Sequence, residues 1–221
     1  MVTPPILTLR IGFAGNRNLP ADLTPLQGAL DTVFSICAQH LAAVPQVASN
    51  LQNGKEVASY YAVGPPLLRL VTGLAKGADT EAAHALGRLQ NKQVRTELAA
   101  VLGCDVTAYH DSRDPQHQPE FRKQLAACSY VLTLDGSYVA GVPGDAQRAR
   151  LYRAQADMLL RHTDILVAVA DPDAATKPGG TLETVRKALA FELPVVFIHS
   201  STGGITLIRP GSDLTAALAN L

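Results

Sequence analysis

The chain carries no surplus of charge of either sign, since 19 lysines and arginines are matched by 19 aspartates and glutamates across 221 residues. Without a net positive field, the sequence-independent attraction that drives general nucleic-acid and anionic-membrane binding is absent, and only a local basic pocket remains open. Nucleic acid is therefore not an expected partner. Cysteine is scarce as well: Cys37, Cys104 and Cys128 are odd in number, widely separated and form no CxxC pair. That spacing argues against a disulfide framework and a structural zinc site, and the three read as small buried hydrophobes in a reducing compartment. No apolar run approaches the roughly 18 residues that a membrane span requires. The opening stretch MVTPPILTLRIGFAG lacks the basic start and long apolar run of a signal peptide. The expectation is a cytoplasmic chain with no membrane partner. Missing too, at the ends of its apolar runs, are GxGxxG and GxxxxGK[ST], and no serine sits in a GxSxG turn. NAD-type binding, P-loop hydrolysis and a serine triad thus find no support, and no cofactor is implied.

What is present is a hydrophobic content of 47%, enough to bury a sizeable core, in a length that suits one α/β domain over residues 1–221. Leu7 to Ala14 alternates and then turns continuously apolar, as a strand entering the middle of a sheet does. Leu23, Leu26, Leu30, Val33, Phe34, Cys37 and Leu41 recur at helical spacing and predict an amphipathic helix from Asp22 to about Val44. Pro45 to Pro66 has no sustained period and reads as an irregular insertion. Leu67 to Val71 is a second strand, leading through a glycine loop into a helix up to Gly87.

Residues 97–102 carry helical pattern, Cys104 to Tyr109 a third strand, and the polar His110 to Pro119 a loop beyond it. A short helix over Glu120 to Ala127, a strand over Val131 to Leu134 and a loop over Asp135 to Gly144 follow. The remainder reads as helix Asp145 to His162, strand Asp164 to Ala170, a glycine turn with its helix to Ala190, strand Leu193 to His199, edge strand Ile205 to Ile208 and helix Ser212 to Leu221. Strands alternating with helices, without hairpin signals, predict an α/β fold: a mostly parallel sheet with helices on both faces.

In such a sheet the ligand cleft opens at the carboxyl ends of the strands. Three glycine-containing loops, after Ala14, Val71 and Ala170, would open there together. The helix N-termini that follow them would favour an anion. The first loop, Gly15, Asn16, Arg17 and Asn18, offers backbone and one cation. The second is TGLAKGAD, with Thr72, Gly73, Leu74, Lys76, Gly77 and Asp79. Its glycines allow close backbone approach, Thr72 offers a hydroxyl, and Asp79, with Thr80 beside it, stands where a carboxylate caps the helix or accepts ribose hydroxyls. The third is KPGGTLE, in which Pro178 blocks an incoming helix, Gly179 and Gly180 can take positive φ, Thr181 is placed as the cap, and Glu183 lies in the first helical turn. His110, Asp111, Asp114 and His117 form the only dense cluster of possible metal ligands and read as a solvated loop instead. No metal is expected.

Taken together, IGFAGNRNL, LVTGLAKGADTEAA and DILVAVA followed by PGGTLE resemble in order and spacing the SLOG superfamily, which joins the DNA-processing protein A (Smf) family to the LOG phosphoribohydrolases. The resemblance runs from about Leu7 to His199. It implies a Rossmann-like fold with a nucleotide-type ligand held between Gly15 to Arg17, Thr72 to Asp79 and Gly179 to Glu183. Many members are sensor domains for nucleotide derivatives such as ADP-ribose or cyclic ADP-ribose species, often in bacterial conflict systems. A ligand sensor, forming a homo-oligomer and joined to an effector domain beyond Leu221, is the implied role. The alternative is hydrolysis of the N-glycosidic bond of a nucleoside 5′-monophosphate, for which Glu183 would be the catalytic candidate. The phosphoribohydrolases carry PGGxGTxxE, whereas this chain has PGGT directly, so alignment from Thr181 puts Thr184 at the position of their catalytic glutamate. Their Arg-Lys pair falls on Gln155 and Ala156, with Arg153 nearby.

Overall fold

The computed structural model describes residues 3–44, 51–52, 55–56, 61–111, 114–137 and 144–219. Along the chain run β1 (Thr8–Gly15), α1 (Thr24–Ala43), β2 (Leu51–Gln52), β3 (Lys55–Glu56), β4 (Leu67–Thr72), α2 (Ala78–Arg88), β5 (Arg95–Cys104) and α3 (Val106–Asp111). Then come α4 (Gln118–Ala127), β6 (Cys128–Gly136), α5 (Gly144–Arg161), β7 (Ile165–Ala170), α6 (Thr181–Ala190), β8 (Val195–His199), β9 (Ile205–Ile208) and α7 (Leu214–Leu218). Seven strands form one sheet in the order β6-β5-β4-β1-β7-β8-β9. All its pairings are parallel except β8 with β9, and β2 with β3 make a separate antiparallel ribbon. This is the α/β fold, a mostly parallel sheet with helices on both faces, that the alternation of elements predicts, and its arrangement is Rossmann-like.

The central strands are buried on both faces, which is why their sequences are continuously apolar instead of alternating. In β7, Val167 and Val169 join the core under α1 and α2, while Leu166, Ala168 and Ala170 join the core under α5 and α6. Leu26, Leu30 and Phe34 of α1 are fully buried on the first face, and Val185 and Ala188 of α6 on the second. The chain builds from β1 outward to β6, then returns through α5 to lay β7 against the other side of β1. The topological switch thus falls at β1, and a crevice opens at the carboxyl ends of β4, β1 and β7.

Two predicted elements are wrong, each for its own reason. Residues 97–102 belong to β5, not to a helix, and residues 106–109 belong to α3, not to a strand. The alanines in LAAVL favour helix in isolation, but a run buried on both faces of a sheet has no period to betray it, and tertiary packing decides. The β-branched Val106 and Thr107 sit in a helical turn because the Asp105 Oδ1 accepts the amides of Thr107 and Ala108, at 2.9 and 3.0 Å. His110 to Pro119 is correspondingly not one loop: it holds the end of α3 and, at His117, the N-cap of α4, with residues 112–113 outside the described set. Of the predicted irregular stretch over 45–66, residues 45–50, 53–54 and 57–60 lie outside the described residues, but 51–52 and 55–56 pair as the antiparallel β2–β3 ribbon, which corrects the expectation of no period and no hairpin there. Residues 138–143 of the 135–144 loop also lie outside the described residues, and its first two residues finish β6. The C-terminal helix is shorter than predicted, starting after Asp213, whose carboxylate accepts the amides of Thr215 and Ala216. Among the described residues, no helix is long and apolar enough to cross a membrane, and no group of three His, Cys, Asp or Glu could hold a metal ion.

Candidate functional site

The loops leaving β1, β4 and β7 surround a cleft of about 590 Å³, within the usual size range of small-molecule sites. The β1 loop is locked on both sides. The Asn16 amide donates to the Val169 carbonyl at 3.0 Å, and the Asn16 carbonyl accepts the Ala78 amide at the start of α2, also at 3.0 Å. Gly15 is required by this closeness, since an added Cβ would lie 2.4 Å from that of Ala78. Arg17 stacks its guanidinium over the Tyr152 ring of α5, 4.6 Å from the centroid.

The β4 loop is tied from within. Thr72 donates its hydroxyl to Asp79 Oδ2 at 2.7 Å, the Ala75 amide donates to the same oxygen at 3.2 Å, and the Leu74 amide donates to Thr72 Oγ1 at 3.2 Å. Asp79 is therefore a loop brace and not the predicted cap: the N-cap of α2 is Gly77, with φ +90°. Thr80 does not cap either, because its hydroxyl turns back to the Ala75 carbonyl. Tyr109 of α3 donates its hydroxyl to the Gly73 carbonyl at 2.5 Å. Gln155 of α5 donates Nε2 to the Val101 carbonyl at 2.6 Å, with the Tyr109 hydroxyl 3.3 Å away. Because only the amide nitrogen can face a carbonyl, this contact fixes the side chain's orientation. That orientation leaves Gln155 Oε1 as an acceptor on a residue of the cleft wall.

The β7 loop ends at the N-terminus of α6. Its N-cap is Gly180, without a side-chain cap, and Thr181 is the first helical residue, contrary to the prediction that Thr181 caps. Positive φ is confined to Gly179, at +71°, whereas Gly180 lies at −92°, which any residue adopts. With no side chain over the helix end, the amides of Thr181 and Leu182 have no intrahelical partner, and both residues line the cleft. Together with Arg17 and Lys177 on the same walls, they make an anion-favouring end. The three helix N-termini do not contribute alike. The Ala78 amide of α2 is taken by Asn16, and α1 begins at Thr24, off the cleft wall.

Of the residues singled out in the sequence, Gly15, Asn16, Arg17, Gly73, Asp79, Pro178, Gly179, Gly180 and Thr181 line the cleft. Five do not. Thr72 is buried behind Asp79, Leu74 is buried with φ +51°, Gly77 forms the turn, and Lys76 points outward to Asp114 at 3.0 Å. Glu183 accepts from Arg153 Nε at 2.6 Å through Oε1 and from the Gly179 amide at 2.8 Å through Oε2. It closes the turn from outside. Tyr109 and Tyr152 are wall residues that the loops did not reveal. Tyr152, Gln155 and Leu159 stand at helical spacing on α5, so a glutamine within an otherwise apolar stripe was the available signal. Tyr109 arrives through a long-range contact that no local pattern carries.

The Arg153 guanidinium beside Glu183 holds that carboxyl below the usual glutamate range, helped by the Gly179 amide, and the carboxylate in turn raises Arg153. A lowered folded-state pKa makes this contribution to stability fully present above about 4.3, the unfolded value, and lost as pH falls through the folded one. Glu183→Gln should accordingly melt below wild type by a constant gap from about pH 8 to about pH 5, closing below about pH 4. A gap that persists unchanged in acid would contradict this. Burial pushes the Cys37 thiol up and that of Cys128 to about 11, so neither is an activated nucleophile.

No protein-family profile matches this chain, and no curated protein is significantly similar to it.

Proposed function

We propose that the chain binds a nucleotide or nucleotide-derived signal, of the ADP-ribose, cyclic ADP-ribose or cyclic nucleotide type, and acts as a sensor of the SLOG kind and not as a hydrolase. The observation that carries this reading is the chemistry of the cleft wall. Anion-binding groups gather in the Thr181 and Leu182 amides with Arg17 and Lys177, while Gln155 Oε1 supplies an acceptor for a ribose hydroxyl or a base amine. The positions at which the phosphoribohydrolases carry their glutamate and Arg-Lys pair also line the cleft, as Thr184, Gln155 and Ala156. None of the three ionises. Asp79 is the one acidic residue among the described wall residues, and its Oδ2 already holds Thr72 and Ala75. A site with donors for phosphate but no free acid or base favours binding without bond cleavage.

The hydrolase reading keeps one supporting observation, the Glu183 and Arg153 pair just outside the wall. A single set of incubations separates the two. Nucleoside phosphates, ADP-ribose species and cyclic dinucleotides are screened by melting temperature, and each mixture is then chromatographed for free base. A ligand at a hundred times its dissociation constant adds roughly 2.7 kcal/mol, a rise of about 5–11 °C for a domain of this size. At least one such shift and no base release are expected. Silence across the panel would end the nucleotide reading, and sustained release of adenine from adenosine monophosphate, abolished by Glu183→Gln, would replace the sensor with the hydrolase.

A further inference from the structure

A second recess, of about 630 Å³, adjoins the cleft and shares Arg17, Tyr152, Lys177 and Pro178 with it. Its walls hold Arg17, Arg148, Arg150, Arg153 and Lys177 and no described acidic residue. In a chain whose basic and acidic side chains balance at 19 each, five cations around one hollow are a strong local departure. Arg153 is offset by Glu183, but Arg17, Arg150 and Lys177 form no ion pair among the described residues. Arg148 and Arg150 are exposed on the same stretch of α5. The stacked Arg17 and Tyr152 pair belongs to both hollows, and so marks the boundary that a ligand reaching from one to the other must cross.

From this we infer that the ligand carries at least two phosphate groups, one at the N-terminus of α6 and a second in the arginine-lined recess. The inference rests on the nucleotide reading above and narrows it. A mononucleotide would satisfy the α6 amides and leave the recess empty, whereas a second phosphate would accept charge-assisted bonds from guanidinium groups whose planar forks suit it.

The test compares matched nucleoside monophosphates and diphosphates, with ADP-ribose, by calorimetry on the full chain at low salt. The diphosphate or ADP-ribose should bind at least about tenfold tighter than the monophosphate with the same base, the worth of one charge-assisted hydrogen bond. In the doubly substituted Arg148→Ser, Arg150→Ser chain that ratio should fall to about one, and in the single Arg150→Ser chain, which removes an exposed side chain with no ion pair among the described residues, it should already fall, with the melting temperature reporting the fold of each. Equal affinities in the wild type would overturn the two-phosphate inference while leaving the nucleotide reading intact. A preference that persists in the double variant would place the second phosphate elsewhere and overturn it too, and absence of binding by every probe would remove both.

Discussion

Gly77→Ala is expected to lower the melting temperature by on the order of 10 °C and to abolish detectable nucleotide binding. Gly77 has φ +90°, and a Cβ built there would lie 2.4 Å from the Arg17 carbonyl and 2.6 Å from that of Asn16. Both neighbours are backbone, so neither can swing away. A conformation that side-chain-bearing residues rarely adopt costs about 1–3 kcal/mol, and overpacking a close contact costs about 1–3 more. At about 2–4 °C per kcal/mol, the sum gives that drop. The function suffers because the relief must come from the β1 loop, whose Asn16 carbonyl holds the Ala78 amide and whose Arg17 lines the cleft. Gly87, in the same helix, provides the control: a Cβ there meets nothing within 4 Å, so Gly87→Ala should stabilise by roughly 0.5–1 kcal/mol. Should Gly77→Ala melt within about two degrees of wild type, the close stitching of the β1 and β4 loops is not what holds the site.

That stitching also separates what is legible in the amino-acid order from what is not. The buried strands β1, β4, β7 and β8 and the glycine loops after the first three are visible because an apolar run of strand length bounded by glycine fits best inside a sheet. From them the α/β class and the position of the cleft follow by the rule that parallel sheets open ligand sites at their carboxyl edge. Detail below that level is not local. Whether Gly77 or Asp79 ends the helix depends on the Asn16 carbonyl, about 60 residues away in the chain, arriving to take the Ala78 amide. Residue types at 72–80 are compatible with either. The failure over residues 97–102 has the same root, since β5 is a strand only because β4 and β6 flank it. Gln155 illustrates the reverse: its spacing on α5 was readable, but its role as an oriented acceptor exists only once Val101 and Tyr109 are beside it.

The turn before α6 yields the second large effect, and here the structure moves the demand by one residue. Both glycines of PGGT look alike in the sequence, yet only Gly179 has positive φ, and its missing Cβ faces α5, 2.9 Å from the Ala149 carbonyl and 3.0 Å from the Tyr152 Cβ. A valine there is an outlier for its backbone region and must also push the turn away from the helix that carries Tyr152 and Gln155. It would displace the Gly179 amide from Glu183 and the open amides of Thr181 and Leu182 from the cleft. Gly179→Val should therefore cost about 2–5 kcal/mol of stability, combining left-handed strain with overpacking, and lower affinity at least about a hundredfold, the loss expected when two or more anion-binding donors move. Gly180→Ala should be milder on both counts. Its φ of −92° suits alanine, and although its Cβ would lie 3.0 Å from the Lys177 carbonyl, which accepts the Gly180 amide at 2.9 Å, the exposed loop has to give by only about a few tenths of an ångström. Circular dichroism and melting report the fold, and calorimetry with whichever nucleotide shifts the wild type reports binding. If Gly179→Val stays folded and binds as the wild type does, the α6 N-terminus is not the phosphate site, and the anion must be sought wholly among Arg17, Lys177 and the arginines of α5.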